Sequence, residues 1–118
     1  MGKAEQKAFG APDEVLQFEK AKVEIVKIGN GVVHRAKLEP GWYWSKHFKP
    51  MVKTEWCEAP HFQYLISGRM HIKMADGTEF DAGPGEVMFL PPGHDAWVVG
   101  NEPALVIDWI GVTNHAKG

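Results

Sequence analysis

The sequence predicts an all-β fold, a single antiparallel barrel or sandwich preceded by a short helix. Short runs that alternate apolar and polar residues recur along the chain, and glycine or proline turns separate them. These strand-like runs do not alternate with long amphipathic helices, as a parallel α/β sheet would require. The 118 residues match the usual size of one domain. We therefore expect one domain over residues 1–118, with the barrel at about residues 22–112.

The first forty residues predict a short N-terminal helix or arm and then a β-hairpin. Asp13–Lys20 contains apolar residues at a spacing that suits one or two amphipathic helical turns. The β-rich runs that follow are separated by Asn30-Gly31, the strongest short hairpin signal in the sequence. We expect the helix or arm within residues 1–20 and the two strands at about residues 22–28 and 32–38.

The remaining strands are predicted after an aromatic segment. Trp42–Lys53 is rich in aromatic and basic residues and is interrupted by Pro50, so we expect a packed loop or an irregular strand rather than a helix. Regular alternation then predicts two strands within residues 61–74, joined at Ser67-Gly68. Glycine and proline clusters bracket three more candidate strands, at residues 86–90, 94–99 and 104–110.

Charge and cysteine content make several classes of function improbable. The 13 basic and 15 acidic residues give a net charge of −2, which provides no basic surface for nucleic acid. No apolar run approaches the roughly 18 residues that span a bilayer, and residues 1–10 lack the apolar core of a signal peptide. Cys57 is the only cysteine, so an intramolecular disulfide is excluded. We expect a cytoplasmic protein with no nucleic-acid or membrane partner.

Two motifs carry a resemblance to a known family. Gly85, Pro91 and Gly93, within GPGEVMFLPPGHDAWVVGNEP, follow the G-x5-P-x-G spacing of the second cupin motif. The string EWCEAPHFQYLISG can be aligned with the first cupin motif. The sequence thus resembles the cupin superfamily over residues 32–110, and in particular an uncharacterised subset with the string PPGHDAWVVG. This resemblance implies a small cupin, which is a jelly-roll barrel also called a double-stranded β-helix.

The metal-ligand positions depart from the cupin pattern. Where the family places His, His, Glu and His, this chain has Glu55, Cys57, His61 and Ala96. His94 precedes Ala96 by two residues, so strand parity places it on the same face. We expect Cys57, His61 and His94 to form a metal or small-ligand site inside the barrel.

The proposed ligand set requires a bend in the chain. Residues four apart on a straight strand are separated by about 13 Å, too far for Cys57 and His61 to share one ion, and Pro60 can supply the bend. A thiolate and two imidazoles suit zinc with a fourth position open. Exchanging Cys57 for Glu55 gives the two-histidine, one-carboxylate set of non-haem iron. Nickel, manganese and the absence of a metal remain alternatives.

Three functional hypotheses follow. The first is a metal-binding cupin that acts on a small polar molecule, with Glu55 or Gln63 as acid, base or orienting group. The second is a non-catalytic cupin that binds or senses a small ligand without metal, and the third is a structural dimer with a vestigial site. Cys57 taken alone is explained more simply as a small buried core residue than as a metal ligand.

The other face of the same strand predicts an interface. Phe62, Tyr64 and Ile66 alternate with the residues expected to point inward, so they would be exposed on the outer sheet surface. Either the N-terminal segment or a second subunit should cover them. Small cupins commonly pair through such a sheet, and we therefore expect a homodimer.

Overall fold

The computed structural model describes residues 3–52 and 54–109. None of the helices in these residues is long and apolar enough to cross a membrane. The all-β class is confirmed, because strands dominate and the helices are short. The elements are β1 (Glu14–Phe18), β2 (Ala21–Ile28), β3 (Gly31–Leu38), α1 (Trp44–His47), α2 (Lys49–Val52), β4 (His61–Ser67), β5 (Met70–Met74), β6 (Glu79–Ala82), β7 (Val87–Leu90), β8 (His94–Val98) and β9 (Ala104–Asp108).

The strands form two antiparallel sheets with the hydrophobic core between them. The larger sheet has the order β1-β2-β3-β9-β4-β7, and the smaller has the order β6-β5-β8. Leu65, Leu90 and Val106 of the larger sheet and Ile72 of the smaller sheet are fully buried and belong to one core cluster. Because apolar side chains of both sheets meet in this core, the arrangement is the predicted jelly roll.

The N-terminal helix predicted within Asp13–Lys20 is wrong, because β1 occupies this segment. β1 pairs with β2 through a tight turn in which Phe18 lies opposite Ala21 and Lys20 has a φ of 60°. Val15 and Leu16 are largely exposed, so these residues form no buried helical face. The backbone hydrogen bonds to β2 therefore outweigh the weak amphipathic helical pattern, and the segment forms a strand.

The first predicted hairpin is confirmed, with its turn displaced by one residue. β2 and β3 match the expected ranges within one residue. The turn is Gly29-Asn30 rather than Asn30-Gly31: both turn residues have positive φ, 54° and 68°, as a type I′ turn requires. Gly31 already belongs to β3 and lies opposite Ile28.

The aromatic segment contains two short helices, contrary to the expectation of a loop or an irregular strand. Trp44 and Phe48 are four residues apart and share one face of α1, and the Phe48 N–H donates to the Trp44 carbonyl at 2.9 Å. Trp42 and Trp44 are buried in the core. Pro50 stands in the first turn of α2, where its missing N–H costs no helical hydrogen bond. Burial of the aromatic side chains thus folds this segment onto the barrel.

The strands of the second half agree closely with the sequence. β4, β5, β7, β8 and β9 all lie at the expected positions. The strand β6 was not predicted, because three of its four residues are exposed and its sequence lacks an apolar run. The predicted end of the last strand at residue 110, and of the barrel near residue 112, lies outside the described residues.

Candidate metal centre

Cys57 is fixed to the start of β8 by its backbone. It forms an isolated antiparallel bridge with His94. The Cys57 N–H donates to the His94 carbonyl at 2.8 Å, and the Gly93 N–H donates to the Cys57 carbonyl at 2.8 Å. Both side chains are buried. The bridge therefore holds the thiol and the imidazole of His94 beside each other inside the barrel.

A bend in the chain brings His61 to the same place. Residues 58–60 are not part of a strand, and β4 begins at His61. The bend places Cys57 Sγ 3.7 Å from His61 Nε2, far closer than a straight strand would allow. Ligand atoms of Cys57, His61 and His94 all lie within 4.8 Å of one another. The structure thus brings together the three side chains that the sequence singled out, which we call the Cys-His-His triad.

Hydrogen bonds orient both imidazoles of the triad. His61 Nδ1 lies 2.5 Å from Asp108 Oδ2, and His94 Nδ1 lies 2.9 Å from the Pro91 carbonyl oxygen. A carboxylate and a carbonyl can only accept, so each Nδ1 carries the proton and donates it. The remaining nitrogen of each ring is Nε2, the atom that ligates metal when Nδ1–H is held in this way.

Asp108 was missed by the sequence analysis. It lies on β9 opposite Gln63 of β4 and His34 of β3, and it accepts a hydrogen bond from Gln63 Nε2 at 3.2 Å. A signal for it exists in the sequence ALVID. Ala104, Val106 and Asp108 share one face by strand parity, and an acid on an apolar inward face is unusual unless it is paired.

Burial and hydrogen bonding act against each other on the pKa values of the triad. Burial raises the pKa of the Cys57 thiol, but hydrogen bonds from His61 and His94 outweigh burial and lower the pKa to about 6. Burial lowers the pKa of His61, but its hydrogen bonds to Asp108 and Cys57 raise the pKa to about 9. Without metal, therefore, Cys57 and His61 form a thiolate–imidazolium pair at neutral pH.

The two residues predicted to act in catalysis lie in different environments. The Glu55 side chain is 78% exposed and forms an ion pair with Lys49 at 3.3 Å. Glu55 therefore does not complete a two-histidine, one-carboxylate iron site in this structure. Gln63 does line the cavity, and its Nε2 donates to Asp108, while its buried Oε1 has no partner among the described residues.

The triad lies in the wall of a cavity of about 500 Å³. Such a volume is typical of small-molecule sites. Polar lining residues besides the triad are the three neighbours in the β3–β9–β4 ladder, His34, Asp108 and Gln63. The other lining residues are apolar: Phe18, Val23, Ala36, Leu38, Trp42, Trp44, Phe48, Met51, Val52, Ala59, Met70, Leu90, Ala96 and Val106.

The amino-acid sequence matches no protein-family model and no curated protein, whereas many solved structures resemble the fold. Oxalate decarboxylase from Lactobacillus farciminis aligns with a TM-score of 0.60 at 18% identity over 80% of this chain. KdgF from Halomonas sp. aligns with a TM-score of 0.58 at 19% identity over 80% of this chain and 82% of its own. The chain has the cupin fold.

A third structure that resembles this fold has metal centres. Oxalate decarboxylase from Bacillus subtilis, which has Mn(II) centres, aligns with a TM-score of 0.56 at 27% identity over 81% of this chain. The chain spans only 30% of the Lactobacillus farciminis enzyme and 27% of the Bacillus subtilis enzyme.

The donor set of the Cys-His-His triad fits a divalent ion. On a tetrahedral zinc ion, a sulfur at about 2.3 Å and a nitrogen at about 2.0 Å are about 3.5 Å apart, and the observed distance between Cys57 Sγ and His61 Nε2 is 3.7 Å. Ala96 stands where the cupin motif has a histidine, and His94 lines the same cavity from two residues earlier. The triad thus offers one thiolate and two imidazoles.

Proposed function

We propose that this cupin binds a divalent metal ion through Cys57, His61 and His94 and presents it to a small molecule in the cavity. The observation that carries the proposal is the orientation of the two imidazoles. Each donates its Nδ1–H outward, to Asp108 or to the Pro91 carbonyl, so that Nε2 is left for the ion. Three protein ligands leave a fourth position for water or substrate, as in catalytic zinc sites.

Zinc is the ion that we propose first. A thiolate with two neutral imidazoles is a borderline-soft donor set, which zinc accepts in tetrahedral geometry. Iron, nickel and manganese are the alternatives, and the Mn(II) centres of the Bacillus subtilis neighbour support metal binding on this fold. When bound, such an ion supplies Lewis acidity or an activated water.

Asp108 and Gln63 would support the ion indirectly. Asp108 holds the His61 ring in position, and carboxylates in this position strengthen a histidine ligand. Gln63 holds Asp108 and lines the cavity, so we assign it an orienting role toward the small molecule. Glu55 has no part in this proposal, since its side chain is exposed and paired with Lys49.

The second candidate is a cupin that binds or senses a small ligand without catalysis. It is favoured by the lining of the cavity, in which apolar side chains outnumber polar ones among the described residues. A sensor requires shape and hydrogen bonds, whereas an enzyme requires a titratable group at the reacting atoms.

Metal analysis tests the first candidate. Protein purified without added metal, and again after soaking in zinc, is compared with the His61→Ala/His94→Ala double variant. We expect one equivalent of metal in the wild type and none in the double variant. His71→Ala is the matched control, because His71 is held by Asp81 and Glu79 outside the cavity. A wild type that takes up no metal, or a double variant that retains it, would refute the proposal.

We further propose a homodimer formed through the outer surface of β4 and β7. Phe62 lies opposite Phe89, and Tyr64 lies opposite Val87, and all four side chains are exposed. We call these residues the β4–β7 patch. β7 is the last strand of its sheet, so the patch adjoins an edge that a second copy can cover. A reducing, cytoplasmic location also belongs to this proposal, since it would keep the Cys57 thiol free.

A further inference from the structure

We infer that the natural ligand of the cavity has an aromatic or otherwise bulky apolar body and a single polar head group directed at the Cys-His-His triad. The part of this inference that concerns the head group rests on the proposed metal ion. The part that concerns the body rests on the cavity walls alone. The sequence analysis expected a small polar molecule. The inference restricts this ligand class to molecules that are polar at one end only.

The polar side chains of the cavity form one connected group. His61 joins the triad to Asp108, at 2.5 Å, and Asp108 in turn contacts Gln63 at 3.2 Å. His34 is the cross-strand neighbour of Asp108. Polar recognition is therefore concentrated around this group, and among the described residues the other lining side chains offer only the indole N–H groups of Trp42 and Trp44 as strong hydrogen-bond donors.

Four aromatic side chains line the apolar part of the wall. Phe48 packs against Phe18 with ring centroids 5.0 Å apart and against Trp42 at 5.2 Å, and Trp44 lines the cavity beside them. Aromatic walls favour a partner with flat apolar surfaces, through stacked or edge-to-face contacts. Ala36 and Ala96 are small, and they leave space in the wall formed by β3 and β8.

The composition of the lining argues against two common ligand classes. No lysine or arginine of the described residues lines the cavity, so a phosphate or a polycarboxylate would find the triad and the His34 imidazole but none of the side chains that usually bind such anions. A sugar would need hydrogen-bond partners along its whole length, because an unpaired buried hydroxyl costs free energy. A body with few polar atoms avoids both costs.

The experiment uses two kinds of probe. Zinc-loaded protein is titrated with acetohydroxamate and with 2-naphthohydroxamate, which share a metal-binding head and differ in the body. We expect the naphthyl compound to bind about 10- to 100-fold more tightly, since burial of one large apolar group is worth that factor. Metal-free protein is titrated with N-phenyl-1-naphthylamine, an apolar fluorescent probe that needs no metal.

A variant with a filled cavity shows whether the large probes bind inside the cavity. Ala36→Phe should remove the advantage of the naphthyl compound and the binding of N-phenyl-1-naphthylamine, while it retains zinc and acetohydroxamate. Ala96→Leu is the second filled variant, should thermal unfolding show that Ala36→Phe is misfolded. The matched control is Ala11→Phe, because Ala11 is exposed and is not one of the lining residues, and it should behave as the wild type.

The outcomes separate this inference from the proposed function. If zinc is absent but N-phenyl-1-naphthylamine binds and the filled variants abolish its binding, the metal proposal fails and the apolar body is supported. Equal affinity for the two hydroxamates in zinc-loaded protein overturns the inference and leaves the metal proposal intact. Binding of either large probe to both filled variants would likewise overturn the inference.

Discussion

His61 and Asp108 are 47 residues apart in the sequence, and the Nδ1 of one lies 2.5 Å from a carboxylate oxygen of the other. The contact joins the first residue of β4 to the last residue of β9. It fixes the tautomer and the orientation of the imidazole before any ion arrives. The metal affinity of the triad should therefore depend on a carboxylate that does not belong to it.

Replacing Asp108 tests this dependence. Asp108→Asn should lower zinc affinity by about 10- to 100-fold while the stoichiometry stays at one, because the loss of a carboxylate behind a histidine ligand typically has this effect. Competition with a chromogenic chelator measures the affinity. Asp81→Asn is the control, since Asp81 accepts from His71 Nδ1 at 2.6 Å outside the cavity. An equal loss in both variants would contradict a specific role of Asp108.

The thiol of the metal-free protein should react as a thiolate at neutral pH. With a pKa of about 6, Cys57 is ionised above pH 6 and protonated below it, so the rate of alkylation by iodoacetamide should rise through pH 6 and level off by about pH 7. An ordinary thiol would reach its plateau only above about pH 9. His61→Gln should move the midpoint upward, because burial remains while the hydrogen bond from the imidazolium is lost.

Two observations would count against that account of Cys57. A midpoint near pH 9 in the metal-free wild type would show that the histidines do not stabilise the thiolate. An equal shift in His71→Gln, which alters only the imidazole between Asp81 and Glu79, would show that the effect is not local. Added zinc should protect the thiol, and mass spectrometry can identify Cys57 as the alkylated site.

Gly68, which ends the first cupin motif, should tolerate no side chain. Its φ is +82°, and an added Cβ would lie 2.3 Å from the Pro103 carbonyl oxygen and 2.6 Å from Ala104 Cα. Gly68→Ala should lower the free energy of unfolding by about 2–4 kcal/mol, the sum of left-handed strain and backbone overlap. Gly100 has a similar φ of +89° but open space around it, so Gly100→Ala should cost only about 1 kcal/mol. Urea denaturation compares the two, and similar losses would contradict the overlap.

The dimer proposal predicts that one charge on the β4–β7 patch yields monomers. Phe89 is 61% exposed, and Phe89→Asp would place a carboxylate in the apolar interface. Light scattering after size-exclusion chromatography should give the mass of two chains for the wild type and of one chain for the variant. Val15→Asp, on the exposed face of β1 at the other edge of the sheet, should remain dimeric. A monomeric wild type would refute the proposal.

Strand positions and the bend before His61 were predictable because each depends on short-range patterns. Alternation in β4 gives both the inward His61 and the outward Phe62, and both are placed as expected. The need for a bend before His61 followed from the rise per residue of a strand. These inferences use only residues that are neighbours in the chain, whereas the grouping of His94 with Cys57 and His61 followed from the resemblance to the two cupin motifs.

Features that depend on distant contacts were not predictable. β1 forms because β2 offers it hydrogen bonds, which its own sequence does not reveal. The role of Asp108 depends on the pairing of β9 with both β3 and β4. Glu55 shares strand parity with Cys57 in the sequence, but residues 55 and 56 form a bend rather than a strand, so parity does not apply to it.

The bridge between Cys57 and His94 makes the backbone framework of the proposed metal centre independent of the donor atoms that it carries. Its hydrogen bonds involve main-chain atoms alone, so the backbone holds whatever donor side chain residue 57 carries. A carboxylate in place of the sulfur would turn a soft set into a harder one without disturbing the barrel. A substitution of residue 57 alone can therefore change which ion the proposed site prefers, while the surrounding barrel keeps its structure.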